Sequence, residues 1–389
     1  MIITVNGTSG NNSLFCDYSQ TTGMHHQIWA KVFFVILYAF VLLMAFCGNL
    51  LVIYIIVMRR RLQNVTNFFI CNLAVSDLFV SLTSLWLTPM YGYLGRWIWG
   101  SVMCHSVPMI QGAGIFISSL TLTAIAIDRY IVILNPFKKR MTVKVCLTVI
   151  ISIWLFSLML VAPYGLHMDL HYSPQCDFHI CRELWEFGEL QAAYGFTVMV
   201  LQFGIPFFVI AVCYIRIWHH LCTRKSLVHL KSDSALKRKK RLLKMLILMV
   251  SIFGLCWLPF NMLNLWRDLS PGAIDAKSYF VFLFLLSHLI AMSASGWNPV
   301  LYAWMNDNFS REYRYIFYFL CGRKHCARSN NPNMVAGHYD PDRTGNHISE
   351  FQYEKHMKNY DFHEQRNDET NQSTLKNSLL KRKVTDYES

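Results

Sequence analysis

The chain has 389 residues, 54% of them hydrophobic and only 15% charged, with a formal net charge of +13. A soluble multidomain protein needs charged faces on its helices, and the long uncharged stretches here leave no room for them. The positive excess is gathered between those stretches, which excludes nucleic acid as the partner it would otherwise suggest.

Residues 1–31 are polar and carry two glycosylation sequons, Asn6-Gly7-Thr8 and Asn11-Asn12-Ser13. Sugar at Asn6 and Asn11 requires the lumenal side, so this segment is expected to be an extracellular tail. No basic stretch leading into a short apolar one precedes it, so the first apolar run is expected to act as its own insertion signal. Seven uncharged runs follow, at 32–58, 68–94, 97–127, 145–167, 190–215, 245–266 and 278–306. Each is long enough for a helix across the bilayer core, which needs about 20 residues. The fold class expected is therefore all-α, a seven-transmembrane helix bundle over 32–306.

The segments between runs carry 18 Lys and Arg on one side and five on the other, namely Lys31, Arg96, Arg182, Arg267 and Lys277. The positive-inside rule then puts the N-terminus outside and the C-terminus in the cytoplasm. Past the seventh run, 307–320 places aromatics at helical spacing beside basic residues, the pattern of an amphipathic helix in the headgroup plane. Cys321 follows it as a palmitoylation candidate, the plainer reading being an unmodified thiol. The tail, 321–389, is polar and charge-rich and is read as disordered.

Five of the twelve cysteines (Cys47, Cys71, Cys146, Cys213, Cys256) lie inside the runs as small hydrophobes. Only Cys16, Cys104, Cys176 and Cys181 face the oxidising side, which allows at most two bridges.

Within all seven runs the sole acid or base is Asp77, and an ionisable group at that depth points to a function in the bundle interior. Other motifs come one per helix. The first run holds Gly48-Asn49 and the second Asn72-Leu73-Ala74-Val75-Ser76-Asp77. The third ends in Asp128-Arg129-Tyr130, the fourth holds Trp154, and the fifth Pro206 and Tyr214. The sixth holds Cys256-Trp257-Leu258-Pro259, and the seventh ends in Asn298-Pro299-Val300-Leu301-Tyr302. Singly, proline kinks and buried Asn residues are ordinary in membrane helices. Together and in this order, they make residues 31–320 resemble the rhodopsin-like (class A) G-protein-coupled receptors.

That resemblance implies an Asn49–Asp77–Asn298 polar core, an Arg129 switch facing a heterotrimeric G protein, and outward swing of the sixth helix on activation. Asp128, Tyr130, Tyr214, Trp257, Pro259, Pro299 and Tyr302 belong to the same switch set. It also implies a Cys104–Cys181 bridge, with Cys176 left either to pair with Cys16 or to stay free. Asp77 is either a hydrogen-bonded buried acid or, as the resemblance implies, a sodium ligand with Ser118, Ser295 and Asn298. No resident cofactor is otherwise expected. Residues 237–241, at the start of the sixth helix, hold no acid to pair with Arg129. A salt bridge between helices three and six is therefore not expected.

Amine receptors of this family carry an acid seven residues after the cysteine that opens helix three; here that position is Gln111. The absence of Lys from 278–306 excludes a retinal Schiff base. Outer acids (Asp169, Asp177, Glu183, Glu186, Glu189, Asp268, Asp275) outnumber the outer bases, favouring a cationic ligand. Gln111, Asn264, Asp268 and His288 match the neuropeptide Y and neuropeptide F receptors, and 116–130 and 302–309 look most like the invertebrate neuropeptide F branch. Such receptors take peptides ending Arg-X-Arg-(Phe or Tyr)-amide. Asp268 would pair with an arginine, Asn264 add a hydrogen bond, and Gln111 meet the terminal amide. Glu183 is read as a solvated loop acid of little consequence.

The resemblance further implies the plasma membrane, inhibitory-class G proteins, and arrestin, receptor kinases and membrane lipid as partners. The runner-up is a receptor for another RFamide, short neuropeptide F or tachykinin-like peptide. A transporter or pump would show a repeat, more intramembrane acids or a helix-seven Lys; an intramembrane enzyme would need a second catalytic group beside Asp77.

Overall fold

The computed structural model describes residues 27–135, 139–174, 177–223, 233–270 and 279–320, with backbone alone at 233–239 and 319–320. Asn6, Asn11, Cys16, Cys176, Asp275, Lys277, Cys321 and the tail lie outside the described residues. Seven helices are long and apolar enough to cross a membrane: Ile28–Met58, Val65–Leu94, Gly100–Leu134, Val143–Leu166, Gly188–Thr223, Lys240–Leu269 and Phe280–Met305. They are called here the first to seventh spans. The second, third and seventh are the most buried, while the others turn apolar side chains such as Phe40, Leu155, Phe208 and Leu255 outward. Outward apolar side chains are stable only in hydrocarbon, so this is a multi-pass membrane protein.

The uncharged runs and the helices coincide in the middle and differ at the ends. The third helix continues through Asp128 and Arg129 to Leu134, and the sixth begins at Asp233. Charge marks where hydrocarbon ends, whereas a helix stops only when its backbone bonding is interrupted.

Three irregularities shape the bundle. The second span breaks at Thr83, where the Ser81 hydroxyl donates to the Asp77 carbonyl (2.6 Å) and the Thr83 hydroxyl to that of Phe79 (2.8 Å). The fifth span widens into a π turn over Val200–Gly204, just before Pro206, which has no N–H to offer the carbonyl of Gln202. In the first span Gly48 lies against the bend at Pro299, where an added Cβ would stand 2.9 Å from the proline ring.

The segment after the fourth span forms a hairpin that the sequence reading leaves as loop: β1 (Met168–Ser173) antiparallel to β2 (Phe178–Glu183), with Leu170 opposite Cys181. Cys181 is bonded to Cys104 at the start of the third span, S–S 2.00 Å. The Tyr91 hydroxyl donates to the Cys181 carbonyl (2.9 Å) and the Trp97 N–H to that of His179 (2.7 Å), so β2 is fixed to three points of the bundle. Removing such a bridge costs about 2–5 kcal/mol.

A final helix, Asp307–Leu320, follows the seventh span. Phe309 is wholly buried against Tyr302, ring centroids 5.5 Å apart. Glu312, 4% exposed, accepts from Arg59 Nε at 2.9 Å and from Arg61, and the Arg59 guanidinium stands 5.3 Å over the Tyr315 ring.

Candidate functional site

Beneath the hairpin lies a cavity of about 240 Å³. Gln111 and Ile115 of the third span contribute one wall, Tyr194 and Gln202 of the fifth another, and Phe260, Asn264 and Asp268 of the sixth a third. Glu183 closes it from β2, and Phe284 comes from the seventh span. The π turn positions Gln202, whose side-chain amide donates to the Gly112 carbonyl (3.3 Å).

The charge in this cavity is concentrated at its mouth. Arg267 donates to Asp268 Oδ1 from Nε at 3.2 Å and from Nη2 at 3.0 Å, while Nη2 stands 3.9 Å from Glu183 Oε2. Trp185 donates its indole N–H to Glu183 Oε1, and the same indole stacks on His167, centroids 3.7 Å apart. Burial pushes the Glu183 carboxyl above its ordinary value, against the opposing pull of Arg267 and the Trp185 hydrogen bond. Glu183 is therefore not the solvated loop acid of the sequence reading. The hairpin turns it inward, and its side chain is 7% exposed. Arg267, counted there only among the outer bases, is equally part of the mouth.

Gln111, Asn264 and Asp268 all line the cavity. His288 does not. It is fully buried behind Phe284 and Phe260, with the Tyr38 hydroxyl 2.9 Å from its Nδ1. Its place is packing behind the aromatic wall, and a ligand in this cavity would meet it only through Phe260 or Phe284.

An aromatic chain leads inward from that wall. Phe260 meets Trp257 edge-on at 6.0 Å, Trp257 meets Phe253 at 6.3 Å, and Phe253 stacks on Phe203 of the π turn at 5.8 Å. Pro259 sits in the helix between the first two of these. Deeper, the Asn298 amide donates to Asp77 Oδ2 (3.1 Å), with the Ser295 hydroxyl beside the same carboxylate. Asn49 donates to the carbonyls of Ala45 (2.8 Å) and Ser295 (2.9 Å), so it joins the core through backbone rather than through Asp77. Asn72 donates to Thr121 (2.8 Å) and accepts from the Trp154 indole (2.7 Å), tying the second, third and fourth spans.

At the far end Arg129 bonds to Asp128, beside it, and to the Thr66 hydroxyl of the second span at 2.6 Å. Its described partners include no residue of the sixth span. Instead Arg241 of that span donates to Asp307 (2.5 Å) and to the Trp304 carbonyl (2.9 Å). The hydroxyls of Tyr214 and Tyr302 are buried and find no hydrogen-bond partner among the described residues. Tyr130 is half-buried against the core, and Pro299 is buried beneath Gly48.

A mouth that concentrates charge, an aromatic chain and a buried carboxylate above a restrained arginine define a transmembrane signalling receptor. The chain belongs to the 7 transmembrane receptor (rhodopsin family), whose family model matches residues 48–302. It is therefore a receptor and not an enzyme. It is 32% identical over 294 residues to neuropeptide Y receptor type 2 of Mus musculus, covering 74% of this chain and 76% of the relative. It is also 32% identical over 300 residues to neuropeptide receptor 3 of Caenorhabditis elegans, covering 74% and 79%.

Proposed function

We propose that this receptor sits in the plasma membrane with its N-terminus outside and binds an amidated neuropeptide of the neuropeptide Y/F type. It passes that binding to heterotrimeric G proteins of the inhibitory class, and then to receptor kinases and arrestin. The observation that carries the reading is the mouth itself. Two carboxylates, Glu183 and Asp268, face one guanidinium, Arg267, leaving a net negative charge where a ligand arginine would arrive. The uncharged Gln111, deeper in the same cavity, suits a neutral terminal amide.

The aromatic chain supports a route from binding to signalling. Pressure on Phe260 reaches Trp257 directly, and Pro259 supplies the bend about which the sixth span can swing. Beside Asp77 the donors fit a sodium ion in type: the carboxylate and the Ser295 hydroxyl are hard, buried oxygens, and the resemblance adds the buried hydroxyl of Ser118. Asn298 turns its amide N–H to the carboxylate and would have to offer its oxygen instead.

The test is a panel of amidated peptides applied to transfected cells, with cAMP and calcium as readouts. Peptides ending Arg-X-Arg-Phe-amide or Arg-X-Arg-Tyr-amide should lower cAMP at nanomolar to micromolar concentration. Response to a tachykinin-like or short neuropeptide F peptide alone would overturn the ligand assignment. A calcium response without cAMP inhibition would overturn the coupling.

A further inference from the structure

Arg267 and Asp268 are consecutive on a helix, and consecutive side chains do not ordinarily face each other. Here Arg267 nevertheless folds back so that two of its N–H groups reach one oxygen, Oδ1 of Asp268, while Nη2 also approaches Glu183. The three side chains are 11%, 11% and 7% exposed. The remaining oxygens are confined as well. Oε1 of Glu183 is held by Trp185, and Oδ2 of Asp268 lies so close to Gly195 that an added Cβ there would come within 3.0 Å. A guanidinium thus already occupies the position that a ligand guanidinium would take.

We infer that Arg267 is a tethered competitor at the peptide site, displaced from Asp268 by the ligand's arginine, and that this exchange sets how tightly the receptor holds its cationic ligand. The inference rests on the reading of the cavity as a site for a cationic peptide. A covalently attached competitor acts at high effective concentration, so a ligand cation must overcome the cost of displacing it. A planar guanidinium can reproduce the paired N–H contacts that Arg267 gives up. A lysine ammonium, a compact charge without the fork, cannot. The exchange conserves charge: two carboxylates and one bound guanidinium persist, and Arg267 is released towards solvent.

The experiment compares three peptides ending Arg-X-Arg-Phe-amide, with the arginines native, both replaced by lysine, or both replaced by citrulline. Competition binding is measured on the unmodified receptor and on Arg267→Gln and Arg267→Lys. Arg267→Gln should raise affinity for the arginine and lysine peptides by the same factor, roughly tenfold, leaving the gap between them unchanged. Arg267→Lys should fall between. Should Arg267→Gln fail to reach the surface, Glu183→Gln/Arg267→Gln restores the original net charge and should show the same gain when compared with Glu183→Gln. An equal loss of affinity for all three peptides would make Arg267 a structural residue and overturn the inference. If citrulline and arginine peptides bind the unmodified receptor equally, the cavity reading itself fails, an outcome separable from the first.

Discussion

Arg241 reaches from the sixth span to Asp307, the first residue of the final helix, at 2.5 Å, and caps the Trp304 carbonyl with its other nitrogen at 2.9 Å. The sixth span is therefore held to the end of the seventh, while Arg129 is held by Asp128 and Thr66. Both partners are about half exposed (45% and 55%), and an exposed ion pair is worth about 0.2–1 kcal/mol. Arg241→Ala should accordingly raise ligand-free signalling up to about fivefold. Asp307→Asn should have a similar effect, read as basal nucleotide exchange or basal cAMP. Unchanged basal activity in both variants would show that the contact does not restrain the sixth span.

Glu312 joins the final helix to Arg59 and Arg61 at the end of the first span. Its own side chain is buried, but Arg59 is 44% exposed and Arg61 28%, so screening limits the loss in Glu312→Ala to about 1–2 kcal/mol. In detergent this should lower the melting temperature by about 2–4 °C per kcal/mol, with peptide affinity unaltered. A variant as stable as the parent would place the anchorage in Phe309 alone.

Glu183 gives a pH dependence whose sign follows from burial. Its carboxyl is raised, so the fold favours the neutral form. That contribution to stability is present below the usual glutamate value of about 4.3 and fades as pH rises through the raised one. Ligand binding runs the other way. A cationic peptide prefers the carboxylate, so affinity should be full above the raised value and fall as pH drops through it, at less acid pH than an ordinary glutamate would require. Competition binding across mildly acid pH should show this fall, and Glu183→Gln should flatten it. An identical fall in Glu183→Gln would show that Glu183 is not the group responsible.

Asp77 lies outside the cavity lining, bonded to Asn298 with Ser295 beside it. Sodium should lower agonist affinity in the unmodified receptor, and Asp77→Asn should abolish that sensitivity while leaving antagonist binding intact. Equal agonist affinity with and without sodium in the unmodified receptor would remove the ion from the proposal.

The seven spans were legible because hydrocarbon imposes a length of uncharged sequence that few other structures need. Helix ends were not, since charge at Arg129 or Lys240 reports the membrane surface and not the backbone. The hairpin was missed although Met168-Asp169-Leu170 and Phe178-His179-Ile180 alternate in character. In a loop only twenty-odd residues long, that signal was too short to separate from chance. The resemblance names Gln111, Asn264 and Asp268, and all three line the cavity. It also names His288, which lies behind Phe284, because a shared residue does not say which side of that ring it occupies. Arg267 reads in sequence only as an outer base, because sequence places it beside Asp268 without showing that the two side chains fold together.

The π turn at Val200–Gly204 sets two helical phases within one span. Each residue advances an α-helix by about 100°, so one extra residue per turn rotates everything before it relative to everything after. Tyr194 and Gly195 can therefore face the cavity while Ile210 and Tyr214 face the core beneath, an alignment that an unbroken helix would miss. Deleting a single residue from the turn would make the span more regular and turn Gly195 away from Asp268 altogether.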